Sequence, residues 1–305
     1  MALRKSTLYL VLVVLTAGLI AGCPKPEVSE PPMGPGEMPQ PPADTASVTT
    51  LQAKGSDTLL QVAQALAEAY AEKVSDVEVA VTGGGSGTGF QALIEGTTDI
   101  ANASRKIKDK EVDAAKAKGI EPQENVVGHD GIAVIVNKDN PVSALTIQQL
   151  SDLYTAAIND WQAVGGTGEV ALMSRDTTSG TYEYFREAVV KQGDKDTDLD
   201  FAASIIMLPS NSAIRDEVAK NTAAIGYIGL GYLDDSVKAV AVVNDAGAEV
   251  LPSVDTVKDG SYPISRPLFM YTSQEPSEAT AAYMEWIMGD DGQAIVADEG
   301  FVPAH

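Results

Sequence analysis

The sequence predicts an α/β protein built on an open sheet. Three observations predict it: short apolar runs of strand character (VEVAVT, GIAVIVN, EVALMS, AIGYIGL), stretches of helical spacing between them, and small polar turns where helices begin. Strands buried on both faces read as near-continuous apolar runs, as these four do. No repeat of fixed period is present.

The N-terminus sets the compartment. Arg4 and Lys5 precede an apolar run from Leu8 to Val14, too short to span a membrane, and residues 1–22 are expected to be a signal peptide. It ends in Ile20-Ala21-Gly22-Cys23, and Cys23 is the only cysteine, which fits a lipobox whose cysteine carries the lipid. A lone cysteine also excludes an intrachain disulfide. The next stretch, PKPEVSEPPMGPGEMPQPPAD, holds half of the 16 prolines and no periodic apolar face, so 23–47 is expected to be a tether. Proline-rich chain extends by about 3.1 Å per residue, so roughly 20 residues reach ~60 Å. The folded body then starts near Val48.

Three expected helices follow polar turns. After GSDT (Gly55 to Thr58), LLQVAQALAEAYAEK places Leu59, Val62, Ala63, Leu66 and Tyr70 on one stripe. After GGGSGTG comes FQALIEG, and after SRDTTSG (Ser174 to Gly180) comes TYEYFREAVVKQ, with Tyr182, Phe185 and Val189 aligned. Taken singly, each turn is an ordinary N-cap. Taken together, they bring hydroxyls, glycines and ionisable groups to three helix starts at the carboxyl ends of strands, where such sheets bind ligands and where helix dipoles favour anions. The loop GGGSGTG is not a nucleotide loop: Phe90 and Gln91 stand where Lys and Ser/Thr are needed, and G-x-G-x-x-G fits it in no register. The anion it suits is small enough to need no lysine.

Charge narrows the partners. The chain carries net −22, and loss of Arg4 and Lys5 would deepen that. Such a surface excludes nucleic acid and anionic lipid as partners, and it requires that an anion be held in a local, shielded site. His129 and His305 are the only histidines, so neither a Ser-His-Asp triad nor a metal cluster is assembled, and no cofactor is implied. An extracellular phosphatase using Ser86 or Ser179 would lack a base. The expectation is a binding protein, not an enzyme.

The segments GSDT, TGGGSGTGFQALIEGTTDIANASR, GHDGIAVIVN, INDW, SRDTTSGTYEYF and GQAIVADEGFVP, in this order and spacing, resemble the PstS-type phosphate-binding proteins, the extracytoplasmic receptors of phosphate ABC importers. The resemblance covers about Ala53 to Pro303. It implies a two-lobed type II periplasmic-binding fold with the ligand cleft between lobes: lobe one 48–130 and 263–305, lobe two 131–262. It implies inorganic phosphate and ABC permease subunits as partners, with a monomer anchored outside the cytoplasmic membrane. By motif it assigns phosphate contacts to Asp57, Thr58 and Ser86 from lobe one, and to Arg175, Ser179, Gly180 and Thr181 from lobe two.

One departure stands out. Where the better-known pattern places a carboxylate after Ala-Ser, this chain has Arg105, and where that pattern places a hydroxyl in the first turn it has Asp57. We read an exchange, with Asp57 accepting the proton on phosphate and Arg105 either pairing with Asp57 or reaching the ligand. A receptor for another tetrahedral oxyanion, sulfate or molybdate, and a phosphate sensor presenting its closed form to a signalling partner are the alternatives; Asp57 argues against the first.

Overall fold

A computed structural model of the chain describes residues 48–305; the expected signal peptide, Cys23 and the proline-rich run lie outside the described residues. No helix among the described residues is long and apolar enough to cross a membrane.

The chain first alternates β1 (Thr49–Gly55), α1 (Leu60–Lys73), β2 (Val77–Thr82), α2 (Ser86–Ile94), β3 (Ile100–Ala103) and α3 (Asp109–Ala117). Helix α1 turns Val62, Ala63, Leu66, Ala67 and Tyr70 inward, close to the stripe read from the sequence. Helix α2 starts earlier than its apolar pattern indicates. The Thr88 and Gly89 N–H groups already bond back to the Gly85 carbonyl, so the ladder begins inside the glycine run and Ser86 is the first helical residue.

The long strand β4 (Pro122–Val136) leads into β5 (Ala144–Thr146), α4 (Ile147–Tyr154), β6 (Ala171–Arg175) and α5 (Gly180–Phe185), which passes directly into a π-helical turn at Arg186–Val190. Then come β7 (Ile206–Leu208), α6 (Asn211–Lys220), β8 (Ala224–Gly229), β9 (Lys238–Ala239), β10 (Ala241–Val243), β11 (Glu249–Val250) and α7 (Val254–Lys258). Strand β12 (Ser265–Ser273) returns beside β4, and α8 (Glu278–Met288), α9 (Asp290–Asp298) and β13 (Val302–Pro303) close the fold.

Most strands join one curled, ten-stranded sheet ordered β2-β1-β3-β12-β4-β8-β6-β7, with β13 and β9 also on β4; β11-β10-β5 form a second, small sheet. Strand β4 is shared along its length: Pro122 to Gly131 pair with β12, and Ile132 to Val136 pair with β8. It therefore joins a first half-sheet, β2-β1-β3-β12, to a second, β8-β6-β7. Within each half the βα units pair in parallel, β1 with β2 and β3, and β6 with β7 and β8. The first half buries Leu51, Leu59, Leu66, Ile100, Tyr283 and Ile287. The second buries Val134, Leu153, Tyr154, Trp161, Phe185 and Tyr227, with Phe185 stacked 3.9 Å from Tyr227. Each such side chain contributes about 1.5–3 kcal/mol on burial.

Candidate functional site

The parallel strands β1, β3 and β6 end in turns that meet between the two half-sheets, so groups distant in sequence become neighbours. Thr58 and Thr181, 123 residues apart, share a hydroxyl–hydroxyl bond of 2.7 Å. The Ser56 hydroxyl donates to Ser104 Oγ at 2.9 Å, and the Ser104 N–H donates to Ser86 Oγ at 3.0 Å. All five residues are buried. The glycine turn docks backbone to backbone on the turn before α5: Gly87 N–H donates to the Thr178 carbonyl at 3.0 Å, and the Thr178 hydroxyl donates to the Gly84 carbonyl at 3.1 Å. Gly85 requires glycine, since it sits at φ 91° and a Cβ there would lie 2.6 Å from the Thr178 carbonyl oxygen. Gly180 is as tightly placed, because its Cβ would lie 2.4 Å from Ser86 Oγ and 2.7 Å from Ser104 Oγ. Ser179 caps α5, its oxygen accepting from the Thr181 and Tyr182 N–H groups, which leaves its hydroxyl proton to donate.

Two buried guanidiniums flank these hydroxyls. Arg175, at the end of β6 and 1% exposed, donates Nη2–H to the Pro209 carbonyl at 3.0 Å and stands 3.5 Å from Asp57 Oδ2. Its Nε and Nη1 find no partner among the described residues, and neither does Arg266 Nε. Arg266 on β12 lies directly opposite Asp130 on β4. Its Nη2 donates to Asp130 Oδ2 at 3.0 Å and to Thr181 Oγ at 2.8 Å, and its Nη1 donates to the Ser104 carbonyl at 2.8 Å. Asp130 Oδ1 also accepts from the Leu230 N–H at 2.9 Å. Burial outweighs the mutual attraction of this pair, holding Asp130 above the ordinary carboxylate range and Arg266 below the ordinary guanidinium range. Each buried N–H without an acceptor costs about 1–3 kcal/mol. A site with three of them beside a cluster of hydroxyls is complementary to an oxyanion, which offers only acceptors.

The expected contacts Asp57, Thr58, Ser86, Arg175, Ser179, Gly180 and Thr181 are thus brought together. Asp57 is not a helix cap: α1 has no side-chain cap bond, and Asp57 Oδ2 accepts from the Asn211 backbone N–H at 3.1 Å and its Nδ2 at 3.2 Å. For Arg105, the expected pairing with Asp57 is corrected. Arg105 neither pairs with Asp57 nor joins the buried hydroxyls; it forms a two-pronged pair with Glu111, both bonds 2.8 Å, and lies 4.7 Å over the Phe90 ring. The carboxylate fork presented by α3 matches the guanidinium geometry and is near in sequence, so it takes the side chain first.

Burial pushes the Glu111 carboxyl up, but hydrogen bonds from Arg105 and the Lys108 N–H, with the nearby charges, outweigh it and hold it below the ordinary 4.5. A lowered folded-state pKa stabilises above the unfolded value and loses that stabilisation as pH falls through the folded one. Glu111→Gln is therefore expected to lose stability at neutral pH and to show a flatter decline than wild type below pH 4.5, as followed by acid denaturation.

Four buried polar residues escaped the motif reading: Ser56, Ser104, Asp130 and Arg266. Signals for two of them were present. Arg266 interrupts the strand-like run ISRPLFM, and Asp130 heads GIAVIVN; a charge in an apolar strand needs a partner.

Residues 40–291 match the PBP superfamily domain, and the curled α/β sheet with a polar cluster between its halves is the fold of that class. The chain is 34% identical over 258 residues to the phosphate-binding protein PstS of Staphylococcus saprophyticus, covering 81% of this chain and 78% of that one. It is 32% identical over 272 residues to PstS of Pseudomonas aeruginosa, covering 83% and 82%. The chain belongs to the PstS phosphate-binding protein family. Among solved structures it is similar to a putative phosphate ABC transporter substrate-binding protein with bound phosphate from Clostridium perfringens, at 34% identity and a TM-score of 0.75 over 84% of this chain and 100% of that one. An ABC-type phosphate transport receptor from Vibrio cholerae is similar at 28% identity, with a TM-score of 0.66 over 83% and 99%.

Proposed function

We propose that this protein is an extracytoplasmic receptor that captures inorganic phosphate and delivers it to an ABC importer, without chemistry on the ligand. The observation that carries this reading is the pair of buried arginines with N–H groups unpartnered among the described residues, beside the Thr58, Ser86, Ser104 and Thr181 hydroxyls. Phosphate supplies acceptors for the guanidiniums and hydroxyls and one proton for a carboxylate. Membership of the PstS family and the similarity to a phosphate-bound structure support the ligand. In this reading Asp57, Thr58, Ser86, Arg175, Ser179, Gly180 and Thr181 contact phosphate, joined by Arg266. Residues 48–130 with 263–305, and residues 131–262, are two lobes that close on the ligand about β4 and β12. Calorimetric titration with phosphate, sulfate and molybdate tests the assignment; saturable binding of phosphate well in excess of the other two is expected, and equal binding of sulfate would move the protein to another oxyanion.

Lipid attachment at Cys23 belongs to the same proposal, because a receptor serving a membrane permease gains from a tether that keeps it near. Cys23→Ser is expected to release the protein from the membrane fraction or leave it unprocessed. A wild type that fractionates as soluble would end the anchor reading.

A further inference from the structure

Arg105 replaces a ligand-side carboxylate with a cation that does not reach the buried hydroxyls, and its surroundings show what that cation faces. Between the half-sheets, beside the buried cluster, lies a groove of about 420 Å³ lined by Arg105, Lys106, Lys108, Glu183, Glu187 and Lys195. One charge crosses it. Glu183 of α5 accepts from Lys108 Nζ at 2.5 Å, and its other oxygen stands 3.9 Å from Arg105 Nε. Lys108 and Arg105 lie in the segment between β3 and α3, on the first half-sheet; Glu183 belongs to the second. The contact is partly sheltered, with side-chain exposures of 19% for Glu183, 9% for Arg105 and 35% for Lys108. Arg105 is pre-positioned for it by Glu111 and Phe90, so little side-chain entropy remains to be lost when Glu183 arrives.

Glu183 lies on the same short helix whose first turn carries Gly180 and Thr181, yet its carboxylate is engaged with Lys108 and Arg105, away from the hydroxyl cluster. We infer that Glu183 is an ionic latch: its bond to Lys108 and its ion pair with Arg105 form only when the two lobes are together, and they slow ligand release without touching the ligand. The inference rests on the lobe-closure reading. A group that stabilises only the closed state raises apparent affinity by the free energy it adds to closure, and breaking a sheltered charge pair acts chiefly on dissociation.

The test uses the full-length protein and radiolabelled inorganic phosphate chased with unlabelled phosphate. In Glu183→Gln, dissociation is expected to quicken about 5- to 20-fold with association changed less than about 2-fold. Lys108→Gln reads the same contact from the other side, and the double variant is expected to dissociate no faster than Glu183→Gln alone, as coupled residues do. Added salt is expected to speed release from wild type more than from Glu183→Gln. Small-angle scattering on wild type, with and without phosphate, keeps the two ideas apart. If wild type does not compact, the closure reading fails and the latch with it. If wild type compacts but Glu183→Gln, melting as wild type does, releases phosphate at the wild-type rate, the latch alone is wrong.

Discussion

Arg175→Ala is expected to weaken phosphate binding by about 3–5 kcal/mol, between two and four decades in Kd. Arg175 is 1% exposed, and two of its donor nitrogens have no partner among the described residues, so its charge is desolvated with donors to spare. With a net charge of −22 the protein has no diffuse positive field that could substitute. Arg175→Lys is expected to recover only part of the loss. A lysine keeps the charge but cannot hold the Pro209 carbonyl and two ligand oxygens in one plane. Titration calorimetry on both variants reads the ladder directly. Near-wild-type affinity in Arg175→Ala would transfer the main countercharge to Arg266, a second buried guanidinium with an N–H unpartnered among the described residues.

Helix α1 and strand β2 were legible because they are written in local periodicity: the stripe of α1 and the apolar run VEVAVT appear in the structure within a residue of where the sequence places them. The polar turns that meet between the half-sheets were legible because glycine and hydroxyl residues at helix starts have few structural reasons to cluster. The Asp130–Arg266 pair was not, since it depends on β12 returning beside β4 across 136 residues, and strand pairing at that distance leaves no local mark. Arg105 misled for the opposite reason. Its place in the exchange implied a pairing with Asp57, but position in a motif does not fix where a long side chain goes. Glu111, six residues on, offers it a two-pronged partner that no single-residue comparison reveals.

Asp57→Asn is expected to lower the phosphate-to-sulfate selectivity by two decades or more, on the scale of the ~10⁴ that a polar site gains by leaving the wrong ligand unpaired. Phosphate at neutral pH keeps a proton that a carboxylate can accept, whereas sulfate would set lone pairs against lone pairs in a shielded site. Two carboxylates stand at the cluster, and their bonds distinguish them. Asp130 is engaged on both oxygens, by the Leu230 N–H and by Arg266. Asp57 is held on Oδ2 by Asn211, and its Oδ1 takes no hydrogen bond among the described residues, so Asp57 has a free oxygen to offer. An asparagine at 57 could keep the Asn211 bonds through its carbonyl and turn its N–H₂ toward the ligand, which costs phosphate some affinity and raises that of sulfate. Asp130→Asn should behave differently. It strands the Arg266 charge in the interior and is expected to cost about 3–5 kcal/mol of folding stability, measured by urea unfolding, before any question of selectivity arises. If Asp57→Asn leaves the phosphate-to-sulfate ratio unchanged while a folded Asp130→Asn collapses it, the proton acceptor is Asp130, and the Asn211 bonds of Asp57 serve closure alone.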